Sequence, residues 1–106
     1  VTPEGEPVYR IGELVIDLAH HRVNVAGEEV ILTPTEFDLL KTMVQNAGKV
    51  MTHKQLIHQV WGTTYEDEDR LLRVNVANLR KKIEVDPSKP RYLVTELGVG
   101  YRLRGE

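Results

Sequence analysis

The sequence predicts an α+β domain built as a winged helix-turn-helix: an N-terminal four-stranded antiparallel sheet, three helices and a C-terminal β-hairpin wing. Three observations carry that prediction. Apolar residues alternate in short runs between Val8 and Thr33. Two helix-start signatures follow, at Thr33 and Thr52. An apolar stripe with helical spacing then runs through residues 70–83 and gives way to a glycine-punctuated pair of strands.

At 106 residues the chain is one domain, large enough to bury a core without staples. It has no Cys, which excludes disulfides and thiolate metal sites and is compatible with a reducing compartment. No apolar run approaches the roughly 20 residues that span a bilayer, and nothing resembles a signal peptide. Residues 1–7, Val1 to Pro7, read as a linker remnant, and the lack of an initiator Met suggests a piece of a longer chain. The folded domain is expected over residues 8–106.

Net charge is −2, which taken alone argues against a polyanion partner. The distribution argues otherwise. Residues 1–69 hold 5 Lys/Arg against 12 Asp/Glu, whereas residues 70–106 hold 9 against 4. Salt screens charges beyond about 8–10 Å, so local clustering rather than the sum sets the field at a surface. The C-terminal third is the part suited to nucleic acid.

Tyr9 and Ile11, Leu14 to Leu18, Val23 to Val25 and Val30 to Leu32 give four β segments, with turns at Gly12-Glu13, Ala19 to Arg22 and Ala26 to Glu28. His20 and His21 fall in a turn with no third ligand at useful spacing, so they read as surface histidines rather than a metal site. Thr33-Pro34-Thr35-Glu36 is a capping box with Pro at the first helical position, and Phe37, Leu40, Met43 and Val44 line one face of the helix that Gly48 stops. Lys49-Val50-Met51 reads as a short connection. Thr52 and Gln55 form a second capping box, opening a helix through Leu56, Ile57, Val60 and Trp61 toward Gly62.

The third helix carries the functional signal. Leu72, Val76, Leu79 and Ile83 recur at spacings of four, three and four and form one apolar stripe. The opposite face carries Arg70, Val74, Ala77, Asn78 and Lys81, flanked by Arg73 and Arg80. A helix with an apolar back, a basic front and small residues at its midline can lie in a DNA major groove. Basic amphipathic helices also serve membranes and protein partners, and an ordinary solvated face is the alternative. Two helices followed by this one give helix-turn-helix order.

The connection into it, Gly62 to Asp69, ends in four consecutive acids. These suit the positive end of the helix dipole, with one of them as cap, or form an exposed loop that touches a partner protein. Calcium is disfavoured because the EF-hand spacing and its central Gly are missing. After the break at Asp86-Pro87-Ser88-Lys89-Pro90, residues 92–96 and 101–104 form two strands around Leu97-Gly98-Val99-Gly100, whose glycines permit positive φ. A hairpin directly after such a helix is the wing of a winged helix. With one Ser, no Cys and no constellation of carboxylates or histidines, an enzyme is not indicated.

The stretches Leu32 to Leu40, Gln55 to Gly62, Asp69 to Lys82 and Gly98 to Arg102 resemble, in order, the C-terminal DNA-binding domain of OmpR/PhoB-type response regulators. Asp86 to Arg91 and Thr95 to Arg102 are similar to the potassium-responsive KdpE-like branch. The resemblance implies a cytoplasmic transcription factor of a two-component system. In it a sensor histidine kinase phosphorylates a receiver domain absent from this chain, and paired effector domains bind direct-repeat double-stranded DNA as a head-to-tail homodimer. It implies no cofactor, and that the loop of Thr63, Thr64, Tyr65, Glu66, Asp67 and Glu68 contacts RNA polymerase. It also implies that Arg70, Asn75, Asn78 and Arg80 touch phosphates or bases. Two departures stand out: Leu97 replaces an Arg that many relatives aim at the minor groove, and Ala77 and Asn78 occupy positions that are often basic.

The chemistry of the side chains divides the roles. Arg73 pairs bidentately with guanine, Asn78 does so with adenine, and Val74 and Ala77 pack on thymine methyls, so these four are the expected base readers. Arg70, Asn75, Arg80, Lys81 and Tyr101, with the helix start at Thr52-His53, are the expected backbone contacts. The alternative is a winged helix used mainly for protein contacts, suggested by the acidic N-terminal half and the uncharged Leu97.

Overall fold

The computed structural model describes residues 8–65 and 68–104. The expected linker remnant therefore lies outside the described residues. Four strands, β1 (Val8–Ile11), β2 (Leu14–Asp17), β3 (Arg22–Val25) and β4 (Glu28–Val30), form an antiparallel meander in chain order. The expected fourth strand slips. Glu28–Val30 pairs with β3 and Val23 faces Val30, while Ile31 turns outward and is 74% exposed. Apolar character alone does not place a strand end; the register to β3 does.

Helix α1 (Pro34–Gln45) begins at the expected capping box, with Thr33 Oγ1 accepting from the Glu36 amide and Glu36 accepting from the Thr33 amide. It ends at Asn46, whose side-chain amide donates to the Thr42 carbonyl, two residues before the expected stop at Gly48. Helix α2 (His53–Trp61) has the second capping box at Thr52 and Gln55 and ends at Gly62, φ 98°. A single 3-10 turn (Thr63–Tyr65) leads toward α3 (Asp69–Ile83).

Val50 and Met51, expected with Lys49 as a plain connection, form a strand together with the cap residue Thr52. β5 (Val50–Thr52) pairs antiparallel with β7 (Gly100–Leu103), which also pairs with β6 (Leu93–Glu96), so the wing is a three-stranded sheet in the order β5-β7-β6. The glycines of the wing differ from each other. Gly98 adopts φ 77° at the turn, as expected. Gly100 does not have positive φ; it is required by close approach, because a Cβ there would lie 1.9 Å from the Met51 carbonyl oxygen of β5.

One core joins both sheets and all three helices. Leu14 and Ile16 of β2 with Leu18 just after it, Leu39, Leu40 and Met43 of α1, Leu56 and Ile57 of α2, and Leu72, Leu79 and Ile83 of α3 are fully buried. Two carboxylates are buried with them. Glu84, immediately after α3, accepts hydrogen bonds from the amides of Arg91, Tyr92 and Leu93 at 2.7–2.9 Å and so fixes where β6 begins. Glu36 accepts from Lys82 Nζ at 2.6 Å, tying the start of α1 to the end of α3.

Burial pushes the Glu36 carboxyl upward, but the Lys82 hydrogen bond, the Thr33 amide and the Lys82 charge outweigh it and hold the group below its ordinary 4.5. A carboxylate lowered in the folded state stabilises fully above its unfolded value and loses that contribution as pH falls through the folded one. Glu36→Gln should therefore cost about 1–2 kcal/mol at pH 7, discounted for the partly exposed ammonium. Urea unfolding of both proteins across pH 7 to 3 should show the gap closing below about 4.5. A gap that stays constant over that range would refute the pairing.

Candidate nucleic-acid interface

Helix α3 turns its four-three-four stripe inward: Leu72, Val76, Leu79 and Ile83 are buried. The opposite face is open. Arg70, Arg73, Ala77 and Lys81 are exposed, Val74 is 49% exposed, and Asn78 is half-buried beside them. Val74 and Ala77 thus form an uncharged midline between cations, a surface shaped for the edges of base pairs. Nothing in the helix's own packing asks for an exposed valine there.

Of the four acids expected to supply the helix cap, Glu68 and Asp69 are described. Glu68 occupies the cap position at φ −92°, ψ 61°, and its side chain makes no capping hydrogen bond. Asp69 lies in the first turn and reaches the Arg73 guanidinium only at 4.0 Å, a loose, exposed i,i+4 pair worth a few tenths of a kcal/mol. Favourable dipole interaction, rather than a side-chain cap, is what the described acids supply. Thr63, Thr64 and Tyr65 are exposed in the 3-10 turn, as is Glu68; Glu66 and Asp67 lie outside the described residues.

Of the expected backbone contacts, Arg70 and Lys81 are exposed on α3, and Thr52 is exposed at the start of α2 beside a half-buried His53. Three others are engaged within the protein. Asn75 donates its amide to the Leu71 carbonyl at 2.8 Å. Arg80 donates to the Leu93 carbonyl and to Thr95 Oγ1 of β6. Tyr101 is only 7% exposed, its ring in contact with His53 (5.4 Å, tilted) and with the Arg80 guanidinium (5.7 Å). Lys82 is held by Glu36, and Arg102 lies 2.9 Å from Glu96 with its Nε–H poorly aligned, so that pair is ionic. Much of the basic surplus in residues 70–106 is therefore internal bracing. Glu84, Thr95 and the Lys82–Glu36 pair carry no periodic signal in the sequence because each works through a partner on another segment, beyond the three or four residues that helical periodicity reports. The one local hint was an isolated acid directly after a basic helix end.

The wing tip is apolar. Leu97 is 95% exposed and Val99 is half exposed, with Gly98 between them. In the first sheet's β2–β3 turn, His20 Nδ1 meets Asp17 at 2.9 Å and His21 stacks on Phe37 of α1, so both histidines are engaged locally. No helix among the described residues is long and apolar enough to cross a membrane.

A family model described as the C-terminal domain of transcriptional regulatory proteins matches residues 27–103, from the start of β4 to the last strand of the wing. The chain belongs to that family, the OmpR/PhoB-type C-terminal domains. It is a family of transcription regulators rather than enzymes. The chain is 43% identical over 101 residues to the KDP operon transcriptional regulatory protein KdpE of Escherichia coli, covering 95% of this chain and 45% of that protein. It thus spans about half the length of the curated relatives it matches. Among solved structures, the response regulator DrrB of Thermotoga maritima, an OmpR/PhoB homolog, superposes with a TM-score of 0.85 at 36% identity, over 92% of this chain and 44% of that one. The Klebsiella pneumoniae RstA DNA-binding domain in complex with the RstA box does so with a TM-score of 0.85 at 30% identity, over 93% of this chain and 98% of that one.

Proposed function

We propose that this OmpR/PhoB-type domain binds double-stranded DNA sequence-specifically and so controls transcription, with α3 in the major groove and the wing on the adjacent backbone or minor groove. The observation that carries the reading is the exposed Val74–Ala77 midline of α3, bordered by Arg70, Arg73, Asn78 and Lys81. Arg73 and Asn78 read guanine and adenine edges, and Val74 and Ala77 take thymine methyls. Arg70, Lys81, Thr52 and His53 hold phosphates, the last two with the amides at the start of α2. Asn75 acts by shaping the helix rather than by a free amide, and Tyr101 supports His53 through its ring contact.

A wider reading follows from the KdpE and DrrB likeness, since those proteins are about twice as long. The domain works as the cytoplasmic output of a two-component response regulator, whose receiver domain answers a sensor histidine kinase. Two copies bind direct repeats head to tail, and the exposed turn around Thr63–Tyr65 with the acids after it meets RNA polymerase. The uncharged Leu97 favours one other reading, a winged helix used for protein contacts, which predicts no salt-dependent DNA binding.

Two substitutions separate backbone holding from base reading. Lys81→Ala should weaken binding to every sequence alike and lower the slope of log K against log salt by about one. Asn78→Ala should cost about 1–3 kcal/mol on the preferred site and much less on a mismatched one. Competition binding on matched and mismatched duplexes at several salt concentrations checks both. Equal losses on all sequences for Asn78→Ala would remove it from the readers.

A further inference from the structure

We propose that Arg80 is a positioning residue that docks the wing onto the recognition helix, rather than a cation that neutralises a phosphate. The inference rests on the DNA-binding reading above. One side chain touches both strands of the hairpin: Nε–H donates to the Leu93 carbonyl at 3.0 Å, Nη2 donates to Thr95 Oγ1 at 2.7 Å, and the guanidinium carbon lies 5.7 Å from the Tyr101 ring centroid on β7. The same ring also meets His53, at 5.4 Å, in the first turn of α2. The start of α2, the end of α3 and both wing strands therefore meet around Arg80 and Tyr101.

The topology explains why such a brace matters. In the order β5-β7-β6, β7 is held on both sides while β6 is an edge strand paired only to β7. Glu84 fixes where β6 begins, and Arg80 holds its first and third residues from the helix side. The wing tip that β6 leads into carries Leu97 and Val99 and no cation. Its contribution to binding then depends on where it is held and not on attraction to phosphate. Arginine fits this duty because its planar fork donates along one edge while its face lies over an aromatic ring; lysine presents a single point of charge and can satisfy one acceptor at a time. A guanidinium already half-buried and bonded to two protein acceptors is also poorly placed to add a phosphate.

Arg80→Lys, Arg80→Met and Thr95→Val, each in the 106-residue chain, test the proposal on a duplex selected from a random pool. Binding is measured at several salt concentrations, alone and combined with a Leu97→Ala/Val99→Ala wing tip. Positioning predicts that Arg80→Lys and Arg80→Met weaken binding alike, by about 5–20-fold, with the salt slope unchanged. Thr95→Val, which leaves every charge in place, should weaken it about 2–5-fold. Each loss should shrink in the altered wing-tip background, because both act through the same contact. Amide exchange in the free protein, which needs no DNA, should quicken at Val99 and along β6 in all three variants. Near-wild-type binding by Arg80→Lys, a slope lowered by about one in Arg80→Met and a silent Thr95→Val would make Arg80 a phosphate contact and overturn the proposal. Unchanged wing exchange in Thr95→Val and Arg80→Lys would overturn it even if Arg80→Met failed to fold. A wild-type chain that bound no duplex would instead remove the DNA reading, with the docking still judged by exchange.

Discussion

Gly100→Ala should destabilise the domain by about 3 kcal/mol or more, a large fraction of what a domain of this size has. The added methyl would stand 1.9 Å from the Met51 carbonyl oxygen and 2.9 Å from Thr52 Cα, and both are backbone atoms with no side-chain freedom to yield. β5 must then leave β7, breaking the pairing of Val50, Met51 and Thr52 with Arg102, Tyr101 and Gly100. The damage spreads because Thr52 is also the cap of α2 and Met51 is part of the core. Gly98→Ala provides the contrast. Nothing lies within 4 Å of a Cβ there, so its cost is confined to the positive φ, about 1–2 kcal/mol. Urea unfolding midpoints for the two variants should differ clearly, with Gly100→Ala the weaker; equal midpoints would contradict the close approach of β5 and β7.

Val74→Glu should leave the fold intact and weaken DNA binding about a hundredfold or more. Val74 is 49% exposed on the face of α3 opposite the buried stripe, and substitutions at such positions usually change stability by no more than about 0.5 kcal/mol. A carboxylate there would be driven into a groove walled by phosphates, at the centre of the docked helix. Like charges so juxtaposed cost several kcal/mol, which translates to a loss of about a hundredfold or more. Thermal melting should place the variant within a few degrees of the wild type. A large drop in melting temperature would mean that Val74 is part of the core and not of the working face.

What the sequence made legible is what local chemistry decides. The spacing of Leu72, Val76, Leu79 and Ile83 identified the buried side of α3, because periodicity in a helix depends only on neighbours three and four residues away. Both capping boxes were legible for the same reason, since Thr33 with Glu36 and Thr52 with Gln55 close their bonds within three residues. The family resemblance followed from those stretches in order, and the match over residues 27–103 agrees with it.

What stayed hidden is what distant segments decide. Lys49 to Met51 look like a connection until β7, about 50 residues later, supplies hydrogen-bond partners for Val50 to Thr52. Gly100 looked like a turn residue; its need comes from the backbone of β5 passing against it. Arg80 and Lys82 looked like part of a cationic face, yet each meets an acceptor on another element. Counting basic residues along a helix overstates the charge it offers to a partner whenever the fold supplies internal acceptors. At the start of α3 the chain enters through Glu68, whose side chain makes no capping hydrogen bond, while Glu66 and Asp67 lie outside the described residues.

The central claim is that the Val74–Ala77 face of α3 enters a DNA groove. The most direct measurement is a titration of isotopically labelled wild-type chain and Val74→Glu with the selected duplex, following backbone amide resonances. The largest wild-type shifts should fall on Arg70, Arg73, Val74, Ala77, Asn78 and Lys81, with a second group at Leu97 to Val99, and Val74→Glu should need about a hundredfold more free duplex, or more, to reach them. Shifts gathered on the β1–β4 sheet, or a Val74→Glu chain that binds as the wild type does, would contradict that claim.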